Sequence, residues 1–232
     1  MKKGVFITTD NVSRFQRAVQ MARDTEHGRP GMLLAFGEAG RGKTLAAMNA
    51  YAEGGGCYLR VWEGWSQHAF LQAVCFEVTG GRPHGANRCK VAAIEALGRE
   101  PRTIYVDEAD RLDVRRIEDL RDIHDETGCP IMLIGEQALL SRVAARSRID
   151  DRIPPEHRIQ FQPISPRDIT LYAMEAAGLQ LTSEACAAVH RMSKGNFRKA
   201  HNLLLSLEQM SRAAETDLVD AEMTTRLEAK AA

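Results

Sequence analysis

The chain has 232 residues, 44% of them hydrophobic and 27% charged, with 31 Lys+Arg against 31 Asp+Glu. That length and apolar share exclude a disordered chain and suit one α/β domain with a small appended domain, while the balanced charge requires any DNA-binding surface to be local. The five cysteines (Cys57, Cys75, Cys89, Cys129, Cys186) form no CxxC pair and suggest neither a disulfide framework nor a zinc site, and neither a membrane-length apolar run nor a signal-peptide core is present, so a soluble, cytoplasmic protein is expected.

Residues 12–23 place Val12, Phe15, Val19 and Ala22 at helical spacing behind the cap-competent Asp10 and Asn11, and "GRPG" at 28–31 then punctuates. Five apolar runs bounded by turn residues follow as strands: "MLLAF", "CYLRVW", "TIYVD", "PIMLIG" and "HRIQF". Helix-length segments lie between the first four of them, at 43–52, 66–79, 89–97 and 115–127. Alternation of this kind predicts a parallel sheet covered on both faces. The fifth strand follows a charged, proline-containing stretch, "RSRIDDRIPPE".

From Ser165 the pattern is helical only, at 166–177, 183–192 and 196–210, with Gly178 and Gly195 at helix ends and Asn196 as an N-cap. The expected division is an α/β core over 1–163, a helical lid over 164–212, and a polar tail over 213–232 with the makings of a helix.

"GEAGRGKT" completes the pattern GxxxxGK[ST] between a strand and a helix, with Gly37, Glu38, Ala39, Gly40, Arg41, Gly42, Lys43, Thr44 and the following Leu45 as nucleotide-binding candidates. The glycines let backbone amides curl around phosphate oxygens, Lys43 reaches the outer phosphates of ATP, and Thr44 offers a hydroxyl to Mg²⁺. "TIYVDEAD" supplies the partner acids at the end of an apolar strand: Asp107 for Mg²⁺ through water, and Glu108 to activate the attacking water. "DEAD" also spells the helicase box, but helicases of that class need two RecA-like domains and a longer chain. His68, His84 and His124 show no metal-ligand spacing.

With "GEAGRGKT", "IYVDEADRL", the strand "IMLIG" and "GNFRKA" in a helical tail, the chain resembles the AAA+ ATPases across nearly its whole length. The resemblance implies a P-loop NTPase core with a parallel sheet flanked by helices and a small all-helical lid. It places a γ-phosphate sensor after the fourth strand, where "LIGEQ" departs from the usual Asn or Thr and leaves Glu136 as the candidate. It makes Arg198 of the "GNxR" element a second sensor. It also implies an arginine acting in the neighbouring subunit's site, with Arg148 of "SRI" preferred, Arg146 second, and Arg142 and Arg152 nearby; homo-oligomerisation follows from the same resemblance.

A finer resemblance is to the Mu phage B protein-like target-selection ATPases of DNA transposition, carried by "FITTDNVSRF" before a helix and by "LIGEQALLSRV" leading to a short lid. It implies ATP-dependent, sequence-independent binding to double-stranded DNA in a helical filament or ring, with a transposase as client. The stretch ahead of Met32 leaves no room for that family's N-terminal helix-turn-helix region, so DNA contact is expected from the ATPase core. Arg82, Arg88 and Lys90 in "GGRPHGANRCK" form one candidate patch, and Arg111, Arg115 and Arg116 beyond the acidic motif form another. Trp62 and Trp65 fit either base stacking or packing at a strand end. Alternative readings are a helicase loader or replication initiator with the same core, and a secretion or signalling ATPase that binds proteins and no nucleic acid.

Overall fold

The protein is described by a computed structural model covering residues 1–2, 4–23 and 31–231. Gly28, Arg29 and Pro30, the first part of the expected break, lie outside the described residues. Two compact units are formed, one from Asn11–Glu38 and Lys43–Phe161, the other from Met1–Asp10, Ala39–Gly42 and Gln162–Ala232.

The larger unit is built on five parallel strands, β1 (Met32–Phe36), β2 (Cys57–Arg60), β3 (Ile104–Asp107), β4 (Ile131–Gly135) and β5 (Arg158–Gln160), in the order β2-β3-β4-β1-β5. β1, β3 and β4 are buried at every position. This is why they read as unbroken apolar runs: each needs hydrophobic side chains on both faces.

Alternate residues divide between two cores. Leu33, Ala35, Tyr105, Met132 and Ile134 pack with Phe15 and Val19 of α1 (Asp10–Arg23) and with Ala46, Ala47 and Ala50 of α2 (Lys43–Gly54). Leu34, Val106 and Leu133 pack the other way, against α3 (Gln67–Thr79), α4 (Ala86–Arg99), α5 (Val114–Thr127) and α6 (Gln137–Ala144). The expected helices are all present. Ser66 and Asp113 stand just outside α3 and α5 as N-caps, accepting from the Ala69 and Arg116 amides.

The stretch between β4 and β5 holds α6 and the short α7 (Ser147–Asp150). All five cysteines are buried and free. Among the described residues no helix is long and apolar enough to cross a membrane.

The second unit gathers α8 (Pro166–Ala177), α9 (Ser183–Ser193), α10 (Phe197–Ala213) and α11 (Ala221–Ala231) around a core of Ile169, Ala173, Val189, Leu204 and Leu207, which also takes in Ile7. Ser165 and Asp168 form a capping box at the start of α8, and Gly178 ends that helix at φ 68°. Asn196 caps α10 by accepting from the Lys199 amide at 3.1 Å. The unit is helical except for a two-stranded parallel pair, β6 (Gln180–Leu181) and β7 (Leu218–Val219).

β4 is the central strand, and Leu133 on it is fully buried. Leu133→Ala is expected to lower unfolding free energy by about 2–5 kcal/mol. Urea denaturation checks this, and a loss well under 1 kcal/mol would show that the two-faced core is not the main support of the sheet.

Candidate functional site

The parallel sheet brings the carboxyl ends of its strands to one edge, where ligands of such sheets bind. β1 runs out there into Gly37 and the loop that opens α2. Gly40 and Gly42 take φ values of 76° and 90°, a conformation that side chains other than glycine rarely adopt. The loop therefore turns sharply and delivers Lys43 and Thr44 into the first turn of a 12-residue helix, whose amino end favours anions.

The Lys43 ammonium donates to the carbonyls of Gly37 at 2.7 Å and Glu38 at 2.9 Å. Burial lowers its pKa, and four carboxylates oppose that shift, those of Glu136, Asp110, Asp107 and Glu108 in falling order. One lysine thus stands in a field of acids. Asp110 was not among the residues expected from sequence.

Asp107, at the end of β3, is almost fully buried, at 2% exposure. Its Oδ2 accepts from the Thr44 hydroxyl at 3.0 Å and from the Tyr58 phenol at 2.9 Å, and its Oδ1 accepts from the Glu108 amide at 3.0 Å. Burial and then the neighbouring Asp107 charge push the Tyr58 pKa far up, so the phenol stays a donor.

Glu108 has φ 58°, a left-handed backbone costly for a residue with a Cβ and a form of strain that concentrates at functional sites. Its carboxylate meets Arg60 at 3.2 Å and Arg111 at 3.3 Å. Two guanidinium groups thereby fix the direction of this acid.

At the end of β4, a Cβ on Gly135 would lie 2.4 Å from Asp110 Oδ1. That oxygen accepts the Glu136 amide at 2.8 Å. The Asp110 carboxylate occupies the space beside the strand end, and Glu136 follows it exposed at the start of α6. Thr44 and Asp107 supply hard oxygen donors suited to Mg²⁺, which binds through few protein groups plus phosphate oxygens and water. Among the described residues no group of three or more His, Cys, Asp or Glu could hold a metal by itself. The donor set fits a nucleotide-borne cation.

The AAA domain profile matches residues 25–143, just over half of the chain. The chain belongs to the AAA domain family. The strand order and the loop geometry are those of an AAA+ P-loop NTPase fold, and the chain carries an AAA ATPase domain.

A protein of Staphylococcus aureus described as a potential ATP-binding protein is 28% identical over 129 residues, covering 52% of this chain and 47% of that protein. The chain thus matches about half the length of that curated relative. Solved structures share the fold at low identity. Cdc6p of Pyrobaculum aerophilum has a TM-score of 0.69 at 11% identity, covering 94% of this chain and 66% of that one. The RuvB Holliday junction branch migration motor of Thermotoga maritima has 0.58 at 18%, covering 97% and 70%. The Orc1 protein of Aeropyrum pernix, solved in complex with DNA, has 0.59 at 16%, covering 95% and 64%.

The candidates of this AAA protein fall into four groups. Lys43, Thr44, Asp107, Glu108 and Glu136 are brought together in the larger unit, with Leu45 exposed on the first turn of α2. Arg198 is exposed on the first turn of α10 in the helical unit. That unit also contains Ala39–Gly42. Within it, Phe197 N donates to Gly40 O at 2.7 Å, Asn196 Nδ2 to Ala39 O at 3.0 Å, and Arg41 to the carbonyls of Lys194 and Gly195.

Of the arginines between β4 and β5, Arg142 donates to the Leu112 carbonyl and Arg152 forms a two-pronged pair with Asp125 at 2.9 and 3.0 Å. Arg146 and Arg148 are exposed. In the basic candidates, Lys90 is engaged by Asp119 at 3.0 Å and Asp122 at 2.6 Å, and Arg116 is largely buried beside Asp113. Arg82 lies over the Phe76 ring at 4.2 Å, and Arg88 and Arg115 are exposed in the opening turns of α4 and α5. Trp62 stacks on Trp65 at 6.3 Å and is 67% exposed.

Glu108→Gln keeps the shape of the side chain and removes its basicity. Turnover of ATP is expected to fall about 100-fold or more, with nucleotide affinity unchanged. A coupled ATPase assay beside equilibrium nucleotide binding checks this, and near-normal turnover would remove Glu108 from the chemistry.

Proposed function

We propose that the protein is an ATP-dependent, sequence-independent DNA-binding ATPase that assembles on target DNA and recruits or stimulates a transposase. ATP binds with its phosphates along the loop 37–44. Lys43 balances charge on the outer phosphates, Thr44 and Asp107 serve Mg²⁺, and Glu108 takes a proton from the attacking water. Magnesium, when bound, neutralises charge on the phosphoryl group being transferred. On this reading Glu136 and Arg198 are the residues that sense the outer phosphate.

The observation that carries the assembly part of this reading is the fate of four arginines. Arg142 and Arg152 have partners inside the chain, whereas Arg146, at the start of α7, and Arg148, within it, stand exposed. A guanidinium of that kind can enter a neighbour's site and stabilise transition-state charge there. Hydrolysis would then require contact between subunits, and loss of the γ-phosphate would release them.

DNA contact is assigned to Arg82, Arg88 and Arg115, since Lys90 and Arg116 already face carboxylates. α4 and α5 lead into parallel strands, so their amino ends lie at the same edge of the sheet as the phosphate loop, and their dipoles reinforce attraction for an anionic backbone. The solved neighbours named for DNA transactions, Orc1 with DNA and the RuvB branch migration motor, support a DNA-associated role. The transposase as client rests on the sequence resemblance. The Cdc6p and Orc1 likeness keeps a replication-initiator reading as the second one, and recovery of a replicative helicase instead of a transposase in affinity purification would establish it.

Duplex DNA of any sequence is expected to be retained in a filter assay only with ATP, with affinity falling steeply as salt rises. Arg88→Ala with Arg115→Ala should flatten the log–log salt slope by about 2. Binding equal with and without ATP, or absent at low salt, would contradict the proposal.

A further inference from the structure

We propose that Tyr58 is a positioning residue of the ATPase site, its phenol fixing the Asp107 carboxylate so that a single lone pair is left for a magnesium-bound water. This rests on the reading that Asp107 serves Mg²⁺. No motif contains Tyr58; it comes from the register of the sheet. β2 pairs with β3 so that Tyr58 stands opposite Tyr105 and Arg60 opposite Asp107. Side chains two apart along a strand share a face, and Tyr58 reaches diagonally along that face to Asp107.

The ring has little freedom to turn away. Its centroid lies 5.7 Å from that of Tyr51, on α2, and 6.4 Å from that of Tyr105. Tyr105 cannot take its place, because the Tyr105 hydroxyl is bound by Arg23 at 2.7 Å. The phosphate-loop helix, β2 and β3 therefore meet in one aromatic group, and only one of its hydroxyls points at the acid.

A carboxylate offers about four lone-pair positions. Three donors occupy Asp107: Thr44 and Tyr58 on Oδ2, and the Glu108 amide on Oδ1. One position on Oδ1 remains. Thr44 can ligate a cation through its oxygen while still donating its hydrogen to Oδ2, so the bond to Asp107 is compatible with metal binding. Removing the phenol would free a second position and let the carboxylate rotate, which weakens metal binding without touching the phosphate loop.

Tyr58→Phe keeps the ring and deletes only the hydroxyl, and Tyr51→Phe serves as its matched control. Binding of a fluorescent ATP analogue to the full chain is titrated with Mg²⁺, and again in EDTA. The expected result for Tyr58→Phe is a Mg²⁺ midpoint raised about tenfold, with affinity in EDTA unchanged, and with Tyr51→Phe like wild type. In an Asp107→Asn background the Tyr58→Phe change should have no further effect. An unchanged midpoint, an equal loss with and without Mg²⁺, or full additivity with Asp107→Asn would overturn the proposal by making Tyr58 a packing residue. Wild-type binding indifferent to Mg²⁺ would overturn it differently, by removing the metal role of Asp107 itself.

Discussion

The buried Asp107 carboxylate is the constraint on which the rest of the site depends. A charge at 2% exposure is tolerable only if hydrogen bonds replace the lost water. Those bonds come from the phosphate-loop helix through Thr44, from the neighbouring strand through Tyr58, and from the next peptide through Glu108. Satisfying one anion thus fixes the position of three separate pieces of chain. The Glu108 amide donates to Oδ1 in the turn that follows β3, and there Glu108 adopts its left-handed backbone and its carboxylate meets Arg60 and Arg111.

The acidity of this edge gives the site its directionality. Lys43 stands among Asp107, Glu108, Asp110 and Glu136. A phosphate chain brought there needs compensating positive charge, which the amino end of α2, a bound cation and an arginine from elsewhere would supply. The exposed Arg146 and Arg148, in contrast with the engaged Arg142 and Arg152, are the source the proposal assigns. On that reading the chain is an incomplete catalyst when alone.

The sheet and the phosphate loop were legible in the sequence because their signals are local. Strands buried on both faces give unbroken apolar runs, and glycines at positive φ recur at fixed spacing ahead of Lys43. The AAA+ resemblance extended this to the architecture. What stayed hidden comes from register and from long-range pairing. Tyr58, Arg60 and Asp110 join the site only because β2 lies beside β3 and β3 beside β4. Asp119 and Asp122, which engage Lys90, belong to a different helix 29 and 32 residues away. α7 is four residues long and β6 and β7 two each, too short to leave a period. Gly135, in the "LIGEQ" stretch, has a steric reason that no local pattern shows: the Asp110 carboxylate fills the space a Cβ would need.

The claim that the site is completed by a neighbour is tested most directly by mixing two disabled proteins. Arg148→Ala retains Glu108, and Glu108→Gln retains Arg148, so a mixed assembly contains interfaces with both groups intact. With ATP and duplex DNA present, each variant alone should be nearly inactive and the mixture should recover ATP hydrolysis. A mixture no more active than its components, or an Arg148→Ala protein as active as wild type, would contradict the account.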